Sequence, residues 1–132
     1  MRGTVQRPDV IGPTTSGNVA AGGKTIIDSK RCPLDLDAFL IYFGNNIDVQ
    51  ANQAYAVFRI RVNGSPFVKP FDNITSQFGS IAQPTRFPSP YRIPRGALVE
   101  LEGEMAAGAA GNTLMAATLG LVYVTPGTFP NV

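Results

Sequence analysis

Residues 56–71 read AVFRIRVNGSPFVKPF, from Ala56 to Phe71. Apolar and charged residues alternate up to an Asn-Gly pair, after which a second short run begins. Val57, Arg59 and Arg61 fall on one side of an extended chain, while Ala56, Phe58, Ile60 and Val62 fall on the other. That period of two is the pattern of a half-buried strand. Asn63-Gly64 closes the hairpin, because a two-residue type I′ turn needs positive φ at both central positions and these residues reach it at least cost. The expected architecture is all-β, an antiparallel β-sandwich.

The flanking sequence fits that scaffold. Upstream, Lys24 to Ser29 (KTIIDS) reads as a short strand that Cys32-Pro33 interrupts, since proline donates no ladder hydrogen bond. Ala38 to Phe43 (AFLIYF) is a compact aromatic and β-branched run, too short for a helix and suited to an interior strand. Gly44 to Asp48 reads as a turn, and Ile47 to Gln53 as a short edge strand. Downstream, Asp72 to Gln83 reads as a loop or one helical turn that Asp72 could cap. The proline-rich Pro84 to Pro94 must run extended over the surface or along a sheet edge.

A turn at Arg95-Gly96 leads into Ala97 to Met105, with Val99, Leu101, Gly103 and Met105 on one face and Glu100, Glu102 and Glu104 on the other. Ala106 to Asn112 is a small-residue loop, and Thr113 to Val124 a long last strand with two largely apolar faces. About seven strands result, the number of a sandwich, and strand number alone leaves immunoglobulin-like and jelly-roll windings both open. The absence of Trp and of a Cys pair argues against an antibody-type domain.

The expected organisation is an arm over residues 1–24, a sandwich over 25–124 and a tail over 125–132. The arm reading rests on prolines, glycines and threonines mixed with apolar residues out of period. Such a segment is either a disordered tail or a strap that orders against a neighbouring subunit, with Val10, Ile11 and Val19 as anchors. On this reading the core folds without residues 1–18.

Composition bounds the function. The 132 residues suit one domain, able to remove roughly two thirds of its unfolded surface from water. Charged residues are only 15% of the chain, well below the usual share of about 25%, which favours packing against partners. The net charge of +2 is spread over scattered arginines without a basic run, so nucleic acid is not an expected partner. No secretory signal is expected in MRGTVQRPDVIGP, and the apolar run Leu114 to Val124 is too short to cross a bilayer as a helix, so no membrane partner is expected.

With no histidine, the Ser-His-Asp and Cys-His arrangements are missing, and the lone Cys32 reads as a small buried thiol. Asp35, Asp37 and Asp48 lack the glycine-containing loop of a calcium site, and no phosphate-binding glycine motif occurs. No catalytic residue, metal or cofactor is therefore expected. The rows Arg59, Arg61 and Glu100, Glu102, Glu104 would form a ladder if their strands are neighbours, or pair between subunits if they are not.

These residues also invite a family comparison. The chain resembles the small single-domain jelly-roll virion proteins of tailed bacteriophages, which decorate or cement a capsid or form the base of a head fibre. The likeness lies in VAAGGKTIIDS (Val19 to Ser29), the FRIRVNGSPFVKPF hairpin, RFPSPYRIPRGALVELEG (Arg86 to Gly103) and the closing LGLVYV. The resemblance implies a jelly-roll-like fold, a homotrimer, the major capsid protein as partner, and a place on the virion exterior after synthesis in the host cytoplasm. It transfers no contact positions. The candidate interface residues are Val10, Ile11, Arg59, Arg61, Phe87, Tyr91, Glu100, Glu102 and Phe129. The alternative is a carbohydrate- or receptor-binding module using Tyr42, Tyr55, Phe87 and Tyr91 as platforms.

Overall fold

The computed structural model describes residues 4–66, 74–75 and 79–131. Two antiparallel sheets pack face to face. One holds β1 (Gln6–Val19), β9 (Thr113–Val124), β3 (Asp37–Ile47) and β7 (Thr85–Ile93), in that order. The other holds β2 (Lys24–Arg31), β8 (Leu98–Met105), β4 (Ala56–Val62) and β5 (Ser65–Pro66), with β6 (Ile74–Thr75) also on β4. The pairs are nested: β1 with β9, β2 with β8, β3 with β7, and β4 with β5 and β6. A long antiparallel hairpin wound so that successive pairs alternate between sheets gives this order, which is the jelly-roll winding.

The strand that decided the fold behaves as its alternation requires. Ala56, Phe58, Ile60 and Val62 are buried, and Asn63 (φ 54) and Gly64 (φ 84) make the turn that returns to Ser65. The second run of that hairpin, from Phe67 to Phe71, and Asp72 as a cap lie outside the described residues. On β8, Val99, Leu101 and Met105 are fully buried. Phe58 of one sheet meets Phe43 of the other edge to face at 6.2 Å, and Leu40, Ile60, Met115 and Leu119 fill the space around them. Burying a side chain of this size contributes about 1.5–3 kcal/mol.

Three segments differ from the sequence reading. Gln6–Val19 is no arm: it is an edge strand paired with β9 from Gln6↔Val124 to Val19↔Thr113, so the sheet begins well before residue 25. Its pairing slips between Ile11 and Thr14 and again between Thr15 and Asn18. Each bulge resets the inside–outside alternation, which erased the period from the sequence, and an edge position tolerates Pro8 and Pro13. Second, β3 continues through the expected turn at Gly44 to Ile47. Third, the expected edge strand beyond it is a 3₁₀ helix, Gln50–Tyr55, held by Asn52, whose side chain bonds Ala110 O, Ala110 N and Thr113 Oγ1.

Proline-rich β7 is the edge strand that its composition implies. It pairs Tyr91 with Leu40 and then Arg86 with Tyr42, so four β7 residues loop out against Ile41 alone. A second irregularity lies on the other side of β3, where Leu40 faces Leu121 and Tyr42 faces Gly120, leaving Ile41 extra. This bulge explains the unbroken apolar run of β3. Leu40 and Phe43 enter the core, while Phe39, Ile41 and Tyr42 join Val122 and Val124 in a second apolar cluster on the outer face of the sheet.

Candidate interaction surface

The charged ladder is internal to the chain. Arg59 stands opposite Glu102 and Arg61 opposite Glu100 in the β4–β8 register. Glu102, 5% exposed, receives Arg59 at 3.1 Å and Arg61 at 3.3 Å, and Arg59 also reaches Glu104. Partial burial works against the charge on Arg59, but the two carboxylates outweigh it and hold the guanidinium more firmly protonated than usual. The neighbouring-strand alternative therefore holds in the protomer.

Asp37 is the second polar hub. It opens β3 with its carboxylate buried, accepting from the Gly127 amide at 3.0 Å, Arg95 Nε at 2.7 Å and Arg92 Nη1 at 3.0 Å. The Gly127 amide and the Arg95 bond lower its pKa to about 2 against the opposing effect of burial. The donor amide is delivered by a turn over Thr125-Pro126-Gly127-Thr128, closed from Thr128 N to Thr125 O, with Gly127 at φ 83. Proline at the second position and a positive-φ glycine at the third are the residues a type II turn demands. The turn folds the C-terminal segment back over the sheet, so that Phe129 packs on Phe39 at 5.2 Å and Asn131 exchanges hydrogen bonds with the Gln6 side chain.

A third knot ties β1 to the core. Asp9 accepts from Lys30 and from the Tyr123 hydroxyl, each at 2.7 Å. Burial works against ionisation of Asp9, but the bonds from Lys30, Tyr123 and the Val10 amide outweigh it and hold the carboxyl below its usual range. Burial and the Asp9 bond push the Tyr123 phenol up, and burial pushes the Cys32 thiol up. Both groups stay protonated near neutral pH, so neither is a ready nucleophile or base. Among the described residues no three potential ligands cluster to hold a metal ion, and Asp37 and Asp48 are engaged elsewhere, Asp48 by the Leu114 amide.

The structure divides the candidate interface residues. Ile11 and Phe87 are core residues, Phe87 packing edge-on against Tyr91 at 5.6 Å, and Glu102 is buried between its arginines. These three present no free surface: Ile11 and Phe87 point into the core, and Glu102 lies under Arg59 and Arg61. Arg59 and Arg61 face outward but are committed to the ladder, and Glu100 and Tyr91 are half-buried. Val10 and Phe129 remain as exposed apolar groups, at 39% and 63%, joined by Val5 beside the start of the C-terminal turn. Of the proposed aromatic platforms, Tyr55 is exposed at 39%, whereas Tyr42 lies across Gly120, where a Cβ would fall inside its ring contacts.

The outer face of the β1–β9–β3–β7 sheet carries an apolar cluster of its own. Phe39, Ile41, Val122 and Val124 are buried there beneath Tyr42 and Phe129, with the Arg92 guanidinium 5.1 Å from the Phe39 ring. Sequence reading missed this face. Its legible signals were the two apolar faces of Thr113 to Val124 and Gly120 within that strand, a vacancy that Tyr42 from the next strand fills. Comparison of the chain with protein-family models, curated proteins and solved structures found no match.

Proposed function

We propose that this chain is a structural virion protein that decorates or cements the exterior of a phage head, bridging capsid subunits as a homotrimer. The observation that carries the reading is the outer face of the four-stranded sheet, where an apolar cluster continues through Phe39 into the exposed Phe129. Exposed apolar groups continuous with a buried patch mark an association surface. The nested jelly-roll pairing agrees with the family resemblance in the sequence, and the low charge suits burial against other subunits.

The mechanism is mechanical. A protein that binds only the assembled shell stabilises it by mass action, and the effect grows with its concentration relative to its dissociation constant. A specific interface needs about 1,000 Å² or more of buried surface, more than a single small patch offers, which is why the reading calls for several protomers acting together. The test uses shells of the encoding virus assembled without this protein. Full-length chain should co-sediment saturably with a fixed copy number per shell and raise the temperature at which shells open. A chain that stays in the supernatant at micromolar concentration, or binds without changing shell opening, overturns the proposal.

A further inference from the structure

Two depressions adjoin on the outer face of the β1–β9–β3–β7 sheet. One, of about 240 Å³, lies between Pro8 of β1, Val122 of β9 and Tyr42 of β3. The other, of about 290 Å³, lies against the looped-out Pro88 and Pro90 of β7. Ile41 and Arg86 line both, so the pair forms a trough running across the strands. Four strands spaced about 4.8 Å apart give it a length near 14 Å, enough for about four residues of extended chain.

The polar groups in the trough decide what fits it. Gln6 spends its side-chain amide on Asn131, donating to the carbonyl and accepting from the N–H. Asp9 is saturated by Lys30, Tyr123 and the Val10 amide. Arg86 is exposed and, among the described residues, makes no ion pair. An apolar floor over which, besides Arg86, only the Tyr42 and Ser89 hydroxyls are uncommitted offers few partners for a sugar, whose hydroxyls need several, and a polyanion would meet Asp9 at the same wall. It suits an apolar segment bearing a single carboxylate, because a guanidinium takes a carboxylate through two parallel hydrogen bonds.

We infer that this trough docks a short extended segment of a partner polypeptide, apolar along its length and carrying one carboxylate that pairs with Arg86. The inference deepens the proposed function and rests on it only for the partner's being a protein.

The test is an array of immobilised octapeptides with apolar flanks and Glu, Gln or Lys at one central position, probed with the full-length chain. The wild type should retain the Glu set about tenfold better than the Gln set, the factor expected for a charge-assisted bond. Arg86→Gln should bring the two within about twofold, and Arg86→Glu should move the preference to the Lys set. Because Arg86 is exposed, both variants should keep the wild-type circular dichroism spectrum. Equal retention of Glu and Gln sets, a Glu preference that survives Arg86→Gln, or no retention of any set overturns the inference. So do methyl glucoside or methyl galactoside shifting the Ile41 and Tyr42 resonances while peptides do not. Shell binding without Glu selectivity removes the trough and leaves the capsid reading, and Glu selectivity without shell binding does the reverse.

Discussion

Replacing Asp37 by Asn probes the joint on which three parts of the chain meet: the start of β3, the arginines at the end of β7 and the C-terminal turn. The carboxyl is lowered from 3.8 to about 2 in the folded protein, principally by the Gly127 amide and Arg95. At about 1.4 kcal/mol per pH unit this corresponds to about 2 kcal/mol favouring the folded, ionised form at neutral pH. A group with a depressed folded pKa contributes fully above its unfolded value near 4, and the contribution fades as pH falls toward 2. Asn is the neutral isostere, so the gap between wild type and Asp37→Asn approximates this contribution, and ionisations common to both proteins cancel.

With an unfolding entropy of about 0.28 kcal/mol/K for a chain of this length, 2 kcal/mol shifts the midpoint by about 7 °C. Paired urea and thermal unfolding curves at pH 7, 4 and 2.5 measure it. The gap should be near 2 kcal/mol at pH 7 and shrink to under half of that at pH 2.5. Equal stability at pH 7, or a gap unchanged at pH 2.5, would refute the assignment of Asp37 as an ionised hub. The tail supplies an internal control: removing residues 125–132 deletes the Gly127 donor, so the truncation and Asp37→Asn should be less than additive.

Gly120→Ala places a methyl group inside the Tyr42 ring, so the ring must leave the sheet, with an expected loss of about 1–3 kcal/mol in urea unfolding that Tyr42→Ala partly restores. Phe58→Ala, at the contact between the sheets, should cost about 3–5 kcal/mol by the same measurement. Glu102→Gln leaves Arg59 and Arg61 facing each other without their shared counter-charge, an expected loss of about 1–2 kcal/mol that shrinks in 1 M salt. Deleting residues 1–18 removes nearly all of β1 and the buried Ile11, so the shortened chain should lose its cooperative calorimetric transition, whereas a dispensable arm would leave that transition in place.

How much could be read in advance depended on whether a strand kept its period. β4 and β8 alternate without interruption, so their buried faces and the Arg–Glu ladder were legible down to the residue, and only adjacency of the two strands was needed to choose between pairing within and between protomers. β1 carries two bulges and two prolines, and a pattern that resets every few residues looks like no pattern. β3 hid its bulge behind uniform hydrophobicity: one extra residue, Ile41, moves Tyr42 to the outer face, and no local sequence rule locates such an insertion. Asp37 and Arg86 were out of reach for another reason. Their roles depend on which charges end up near them: for Asp37 these come from positions 55 or more residues away, and for Arg86 no ion-pair partner lies among the described residues.

The distribution of charge then narrows how the proposed partner would be recognised. Arg59, Arg61, Arg92, Arg95 and Lys30 are each paired with a carboxylate of the same chain, on both sheets and at both ends of the sandwich. Ion pairs already formed are weak bait, since a partner must break one before making another. The N-terminal segment is no free clasp, because β1 pairs along one edge with β9 and buries Ile11 in the core. On the proposed reading, recognition is left to shape and apolar contact on the outer face of the β1–β9–β3–β7 sheet. There Arg86, which makes no ion pair among the described residues, stands at the junction of the two depressions, where the inferred segment would meet it.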